Sequence, residues 1–178
     1  MIEMDLSPAS REPMRPPAPF KLLLGTLFAA LLLNLLPWGG WLLKVRPDFL
    51  LLVLLYWATH ESRRVGQGWA FAFGFIMDVA DSVLLGQHAL AYVAAVFLAQ
   101  QLRLRLLQLS VLEQALHVAG ILAVAQLVDV LLNLSIGRDF PGMLVALAPL
   151  LGAGMWPLLH VVAIQPRLRR REVVTLMH

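Results

Sequence analysis

The chain contains no cysteine among its 178 residues. This absence excludes a disulfide framework, a thiolate metal site, an iron–sulfur cluster and a cysteine nucleophile. Charged residues are also scarce, at 14% of the chain, against about 25% in soluble domains. Hydrophobic residues make up 60% instead, and the mean hydropathy is +0.76. The composition therefore predicts an integral membrane protein.

Acidic residues are fewer than basic ones, which gives a net charge of +3 and a sequence pI near 10.0. In a soluble protein this excess would suggest nucleic-acid binding. Here the basic residues stand in short clusters between apolar runs, as they do on the cytoplasmic loops of membrane proteins. We therefore expect contacts with membrane lipids and no nucleic acid.

Motifs for catalysis are missing as well. His60-Glu61 begins like a zinc protease motif, but the fifth position is Arg64 and not a second histidine, so the metal would lack a ligand. No nucleophile elbow of the Gly-x-Ser-x-Gly type and no phosphate-binding Walker loop is present. The sequence thus predicts a protein that is not an enzyme and has no cofactor.

Apolar runs dominate the chain after a proline-rich leader. They are Leu22–Leu36, Phe49–Thr59, Trp69–Leu85, His88–Leu102, Val111–Leu134 and Met143–Ile164. Most of them approach or exceed the ~17 residues that a helix needs to cross a bilayer. The predicted fold is an all-α, polytopic membrane bundle of six transmembrane helices. The predicted organisation is a disordered cytoplasmic tail at 1–19, a transmembrane domain at 20–165 and a basic cytoplasmic tail at 166–178.

The second run is the one for which membrane crossing is an open question, because a helix from Phe49 to Thr59 rises only about 16 Å. If it spans, the N-terminus is cytoplasmic and all but three of the 14 basic residues lie inside; Lys44, Arg46 and Arg138 lie outside. If it does not span, Arg11, Arg15, Lys21 and Arg138 lie outside. The positive-inside rule narrowly favours six spans, and both solutions place the C-terminal arginines in the cytoplasm.

Arg46-Pro47-Asp48 predicts the start of this short helix. Proline suits the first turn, and an acidic residue near a helix N-terminus complements the helix dipole. Tyr56 and Trp57 then read as an aromatic anchor at the inner membrane interface. We expect a short span in a thinned membrane, important for shape and not for chemistry.

Ionisable residues inside the runs are the candidate functional groups, since such residues are costly in a bilayer. Asp78 lies near the expected midplane, and Asp81 follows on the same helix face. Asp129 and Asn133 share a face of the fifth span, and with Asp81, His88 and Asn34 they are expected in the outer half of the membrane. Two readings remain open: hydrogen bonds between helices, or a site for protons, cations or a ligand.

Small residues and helix breakers give further expectations about packing. Ala91, Ala95 and Ala99 repeat every four residues, as do Ala115, Ala119 and Ala123, while Ala70 and Gly74 form a third such pair. These stripes predict close helix packing. Pro149 and Pro157, with the glycines between them, predict an interrupted last helix.

The stretch RPDFLLLVLLYW, followed by a basic loop and GQGWAFAFGFIMDVADSVLLGQHALAYVAAVFLAQQLRLR, resembles the rod shape-determining protein MreD family of bacteria. The residues that carry the resemblance are Arg46, Pro47, Asp48, Tyr56, Trp57, Asp78, Gly86, Gln87 and His88. The chain departs from the family pattern at Asp81 and Ser82.

This resemblance implies a scaffold of the cell-wall elongation machinery in the bacterial inner membrane, required for rod shape. The implied partners are the bitopic protein MreC, the actin-like MreB, and the peptidoglycan synthases, a penicillin-binding protein with its glycosyltransferase. The implied helix arrangement is similar to that of the substrate-binding subunits of energy-coupling-factor transporters. A small-molecule-binding subunit of a transporter therefore remains the alternative function.

Overall fold

The computed structural model describes residues 18–162, and this part of the chain is all-helical with no strand. The helices are α1 (Phe20–Leu35), α2 (Trp41–Val45), α3 (Phe49–His60), α4 (Gln67–Ala80), α5 (Gln87–Gln101), α6 (Arg103–Leu106), α7 (Val111–Ser135) and α8 (Leu147–Gly154), with a 3-10 turn at Met143–Ala146 before α8. Helices occupy all six predicted runs. The predicted tails, except Ala18 and Pro19, lie outside the described residues.

Local sequence explains where several helices begin and end. Pro37 forces Leu36 into an extended conformation, with φ −60° and ψ 143°, and α1 stops there. Ser110 begins α7 with a capping box, in which its side chain accepts from the Glu113 amide and the Glu113 carboxylate accepts from the Ser110 amide. These bonds satisfy amides that would otherwise lack a partner.

The six longer helical passes run back and forth between two ends of the bundle. At the first, the acidic end, Asn34 of α1 meets Asp48 before α3, and Tyr92 of α5 meets the same carboxylate. At the second, the basic end, Ala18 contacts Glu61 and Arg64 after α3, and Arg103 caps the last turn of α3 at Thr59. Consecutive passes are therefore antiparallel.

Helix α3 lies in the centre and contacts α1, α4, α5 and α8. Every residue from Leu50 to Thr59 is buried. Tyr56 and Trp57 are 2% and 1% exposed, and the Trp57 indole donates to Thr26 Oγ1 on α1 at 2.9 Å. The interpretation of these two residues as an interfacial anchor is therefore wrong, because they pack in the protein core.

The helices around α3 expose apolar side chains, such as Phe28 on α1, Phe71 on α4 and Leu127 on α7. Two helical segments, Val111–Ser135 and Met143–Val162, are long and apolar enough to cross a membrane, and Phe20–Leu35 and Phe49–His60 are shorter apolar helices. The last segment is interrupted at Met155, between Gly154 and a helical stretch at 156–162, as its glycines and prolines predict.

The small-residue stripes behave differently in different helices. Ala91, Ala95 and Ala99 are buried on α5, and Gly74 of α4 approaches the first turn of α5 so closely that a Cβ there would lie 2.5 Å from Ala89 Cα. On α7, however, Ala123 is exposed, and the buried face is formed by Gln114, Ala115, Val118, Ile121, Leu122 and Ala125. The predicted alanine stripe on α7 is therefore not its packing face.

Candidate functional site

The acidic end holds most of the candidate residues, and its first centre is the Asp48 carboxylate. Asp48 caps α3: its Oδ1 accepts from the Leu51 amide at 2.9 Å and from Asn34 Nδ2 at 2.8 Å. Its Oδ2 accepts from the Tyr92 hydroxyl at 2.5 Å. One carboxylate thus joins α1, α3 and α5.

The two residues before Asp48 reinforce this junction. Arg46 Nη1 donates to the Asn34 carbonyl at 2.6 Å, which satisfies an acceptor at the end of α1. Asn34 Oδ1 in turn accepts from the Phe49 amide at 3.1 Å. Pro47 lies next to Gly152 of α8, 3.6 Å from where a Cβ on that glycine would stand. Arg46-Pro47-Asp48 is therefore a connector between four helices.

The second centre is Asp78, which is fully buried near the end of α4. Its Oδ2 accepts from the Gly86 amide at 2.8 Å, and its Oδ1 accepts from the His88 amide at 2.6 Å. Both amides belong to the start of α5, so Asp78 caps a neighbouring helix. Gly86 makes the approach with φ +100°, in the region that favours glycine.

The predicted depth of Asp78 is therefore wrong. Helix α4 ends at Ala80 and not at Leu85, which places Asp78 at the acidic end and not halfway along the pass. The helix stops there because the chain must turn back within a few residues to bring Gly86 onto the carboxylate. The positive φ of Ser82, 52°, marks this turn.

His88 and Tyr92 connect the two centres along one face of α5. His88 Nδ1 lies 3.1 Å from Asp78 Oδ1, and its Nε2 lies 3.7 Å from Asp81 Oδ2. One turn later, the Tyr92 ring meets the His88 ring edge to face at 6.1 Å. Asp81, Asp78 and Asp48 are thus reached by one stretch of α5.

Asp129 of α7 completes the acidic end on the side of α8. It lines a cavity of about 30 Å³ together with Asp48, Gln126 and Pro149. Among the described residues, its buried Oδ1 has no hydrogen-bond partner. A cavity of this size accommodates about one water molecule, and the polar lining suits one.

Two other predicted residues do not join the centres. Asn133 donates to the Asp129 carbonyl on its own helix at 2.9 Å and accepts from Arg138 at 3.2 Å. Gln87, beside Gly86, is only 4% exposed, and its Oε1 has no hydrogen-bond partner among the described residues. Within that part of the chain, no group of three or more histidine, aspartate or glutamate side chains is placed to hold a metal ion.

Sequence reasoning missed the role of Tyr92 and the bond from Arg46 to Asn34. Tyr92 stands four residues after His88 on the same helix face, which is the signal that could have singled it out. The bond from Arg46 to a main-chain carbonyl leaves no such signal in the sequence.

The helices expose apolar outer faces and surround a buried central helix, and carboxylates cap and join them. These features define a helical membrane protein stabilised by polar contacts at one end. Within that class the chain belongs to the rod shape-determining protein MreD family, whose family model matches residues 14–161. The rod shape-determining protein MreD of Haemophilus influenzae is 29% identical over 142 residues, which cover 80% of this chain and 86% of that protein. No solved structure matches the chain.

Proposed function

We propose that the protein is a non-enzymatic scaffold of the cell-wall elongation complex in the bacterial inner membrane, required for rod shape. Family membership supports the role in rod shape. The observation that favours a scaffold is the use of Asp48 and Asp78: both carboxylates are occupied by main-chain amides and by side chains of neighbouring helices. The signature residues at the acidic end hold the bundle in shape.

The proposed topology has six spans with both chain ends in the cytoplasm. The basic end of the bundle, with Arg63, Arg64, Arg103 and Arg105, would then face the cytoplasm, in agreement with the positive-inside rule. The acidic end would face the periplasm. The antiparallel order of the passes supports this arrangement, because it brings α1 and α4 into contact at the basic end through Phe20 and Trp69.

The proposed partners are a bitopic protein of the MreC type, an actin homologue of the MreB type and the peptidoglycan synthases. One part of the exposed apolar surface would bind a single transmembrane helix of the first partner, and lipid would cover the rest. The arginines at the basic end would attract anionic lipid or an acidic face of the cytoskeletal protein, at about 1 kcal/mol for each residue near the surface.

Depletion of the protein in its native host tests this proposal. We expect the rods to become round and to be restored by the wild-type gene and by Asp129→Ala, since the acidic end without Asp129 keeps both helix caps. Membrane levels of each variant are measured by immunoblot. Unchanged rods after depletion, in a host with no second copy, would contradict the role in cell shape.

A small-molecule-binding subunit of a transporter, with a helix arrangement similar to that of energy-coupling-factor subunits, is the second candidate. The interrupted last helix and the unpartnered Asp129 oxygen favour it. The cavity there, about 30 Å³, is much smaller than the roughly 300 Å³ or more of a ligand pocket. An ATPase and a bound ligand that purify with the protein would favour transport, whereas a bitopic partner without ligand would favour the scaffold.

A further inference from the structure

The outward face of α4 is short for a membrane-spanning helix. It exposes Phe71 and Val79, at 57% and 60%, between the exposed polar residues Gln67 and Asp81. These polar residues are 14 steps apart, which corresponds to a height of about 21 Å along a helix. The hydrocarbon core of a typical bilayer is about 30 Å thick. This face is therefore too short by about 9 Å, and tilting the helix would only reduce its height further.

The exposed apolar face of α1 is also shorter than a bilayer is thick. Its exposed apolar residues run from Phe20, at 53%, through Phe28 to Leu36, at 49%, just after the helix end. This distance is about 24 Å, which is again below the bilayer thickness. Phe20 of α1 and Trp69 of α4 are in edge-to-face contact at 6.5 Å, so the two short faces meet at the basic end.

Helix α7 is much taller. Its exposed apolar residues run from Leu112, at 77%, to Leu134, at 44%, over about 33 Å. Helix α5 packs against both α4 and α7. The bundle therefore exposes a short apolar face on α1 and α4 and a face of full bilayer height on α7.

We propose that the α1–α4 side binds a locally thinned bilayer, while the α7 side lies in a bilayer of ordinary thickness. The occupant of the short face is lipid, because tryptophans mark both of its limits, as they do at lipid interfaces. Trp69 lies at the basic end, and the half-buried Trp38 and the 68% exposed Trp41 lie at the acidic end. The proposal rests on α4 crossing the membrane, as the six-span topology requires.

Site-directed spin labelling tests the proposal directly, because the chain has no cysteine of its own. Single variants Gln67→Cys, Phe71→Cys, Phe75→Cys, Val79→Cys and Asp81→Cys are labelled and reconstituted in dioleoylphosphatidylcholine vesicles. Collisions of each label with oxygen report lipid, and collisions with a water-soluble nickel chelate report water. Leu112→Cys, Leu116→Cys, Leu127→Cys, Leu131→Cys and Leu134→Cys on α7 form the matched control series.

On α4 we expect lipid contact at the three middle labels and water contact at both outer ones, over about 21 Å. On α7 we expect lipid contact over about 33 Å. In vesicles with 14-carbon chains the α4 profile should stay unchanged, while the end labels of α7 become accessible to water.

Two outcomes would overturn the proposal. A label at Asp81 that collides with oxygen and not with nickel would show that α4 lies in a bilayer of full thickness. Labels at Phe71 and Phe75 that are shielded from both reagents, with spin–spin broadening, would show that a second copy covers this face. Neither outcome alters the cell-shape and partner measurements, so failure here is distinguishable from failure of the proposed function.

Discussion

At the scale of single residues, Asp78 offers the sharpest test of how the acidic end is built. Asp78→Ala removes the acceptor of the Gly86 and His88 amides, and a buried group left without a partner costs about 1–3 kcal/mol. We expect a lower unfolding temperature in detergent, and a smaller loss for Asp78→Asn, whose carbonyl still accepts.

Asp81→Ala is the matched control for Asp78→Ala. Asp81 is exposed and its contact with His88 is long, at 3.7 Å, so its removal should leave the unfolding temperature nearly unchanged. If Asp78→Ala unfolds at the wild-type temperature and Asp81→Ala does not, the capping role is assigned to the wrong carboxylate.

The Tyr92 hydroxyl tests the other centre. Tyr92→Phe removes one donor to Asp48 and leaves the donors from Asn34 and Leu51. Because a typical hydrogen bond contributes about 0.5–1.5 kcal/mol, we expect a loss of stability in that range, measured by thermal unfolding. The loss of stability in the double variant of Tyr92→Phe with Asn34→Ala should differ from the sum of the two single losses, since both donors share one carboxylate. Strict additivity would argue against a common centre.

At the scale of helices, the contact between α4 and α5 depends on Gly74. In Gly74→Ala, the new Cβ would lie 2.5 Å from Ala89 Cα and 2.7 Å from Ala89 N. These are backbone atoms that cannot rotate away, so the helices must separate, at a cost of about 1–3 kcal/mol for such overpacking. Thermal unfolding in detergent measures the effect.

Gly120→Ala on α7 is the control for Gly74→Ala, because nothing lies within 4 Å of the Cβ that it would add. It should be neutral or slightly stabilising, since alanine favours a helix more than glycine does. A loss of stability as large as that of Gly74→Ala would mean that helix separation is not the cause.

The helices also show how far sequence reasoning reaches. Hydropathy predicted each helical pass, and Pro47-Asp48 predicted the start of α3, because these signals are local. The enclosure of α3 was not predictable: an apolar run buried on every side reads like one in contact with lipid, and only the neighbours α1, α4, α5 and α8 decide between them. The exposed Ala123 on α7 gave a wrong packing face for the same reason.

The acidic end was predicted in part. The sequence indicated a polar layer with Asn34, Asp81, His88, Asp129 and Asn133, because polar and ionisable residues in apolar runs are conspicuous. Of these, Asn133 bonds only to Asp129 of its own helix and to Arg138 and does not join the two centres. It could not indicate the bond between Tyr92 and Asp48, which are 44 residues apart, because that bond depends on the packing of α5 against α3.

At the scale of the whole molecule, the six-span topology predicts the side of each loop. A green fluorescent protein fused after Arg64 should fluoresce in the cytoplasm, and alkaline phosphatase fused after Arg138 should be active in the periplasm. The reason is the distribution of basic residues, of which few lie at the acidic end. An active phosphatase after Arg64 would contradict this topology, and also the arrangement in which α3 does not span, because Arg64 lies inside in both.

The enclosed position of α3 has a consequence for how the protein is made. On one side α3 packs against Trp156, whose ring centre lies 5.7 Å from that of Tyr56. Trp156 is buried, with 1% of its surface exposed. Trp156 is synthesised roughly a hundred residues after Tyr56, which takes a ribosome several seconds at about 5–20 residues per second. Until then α3 must lie against lipid or the insertion machinery. Nascent chains stalled before α8 should therefore be substrates for membrane quality-control proteases, whereas completed chains resist them.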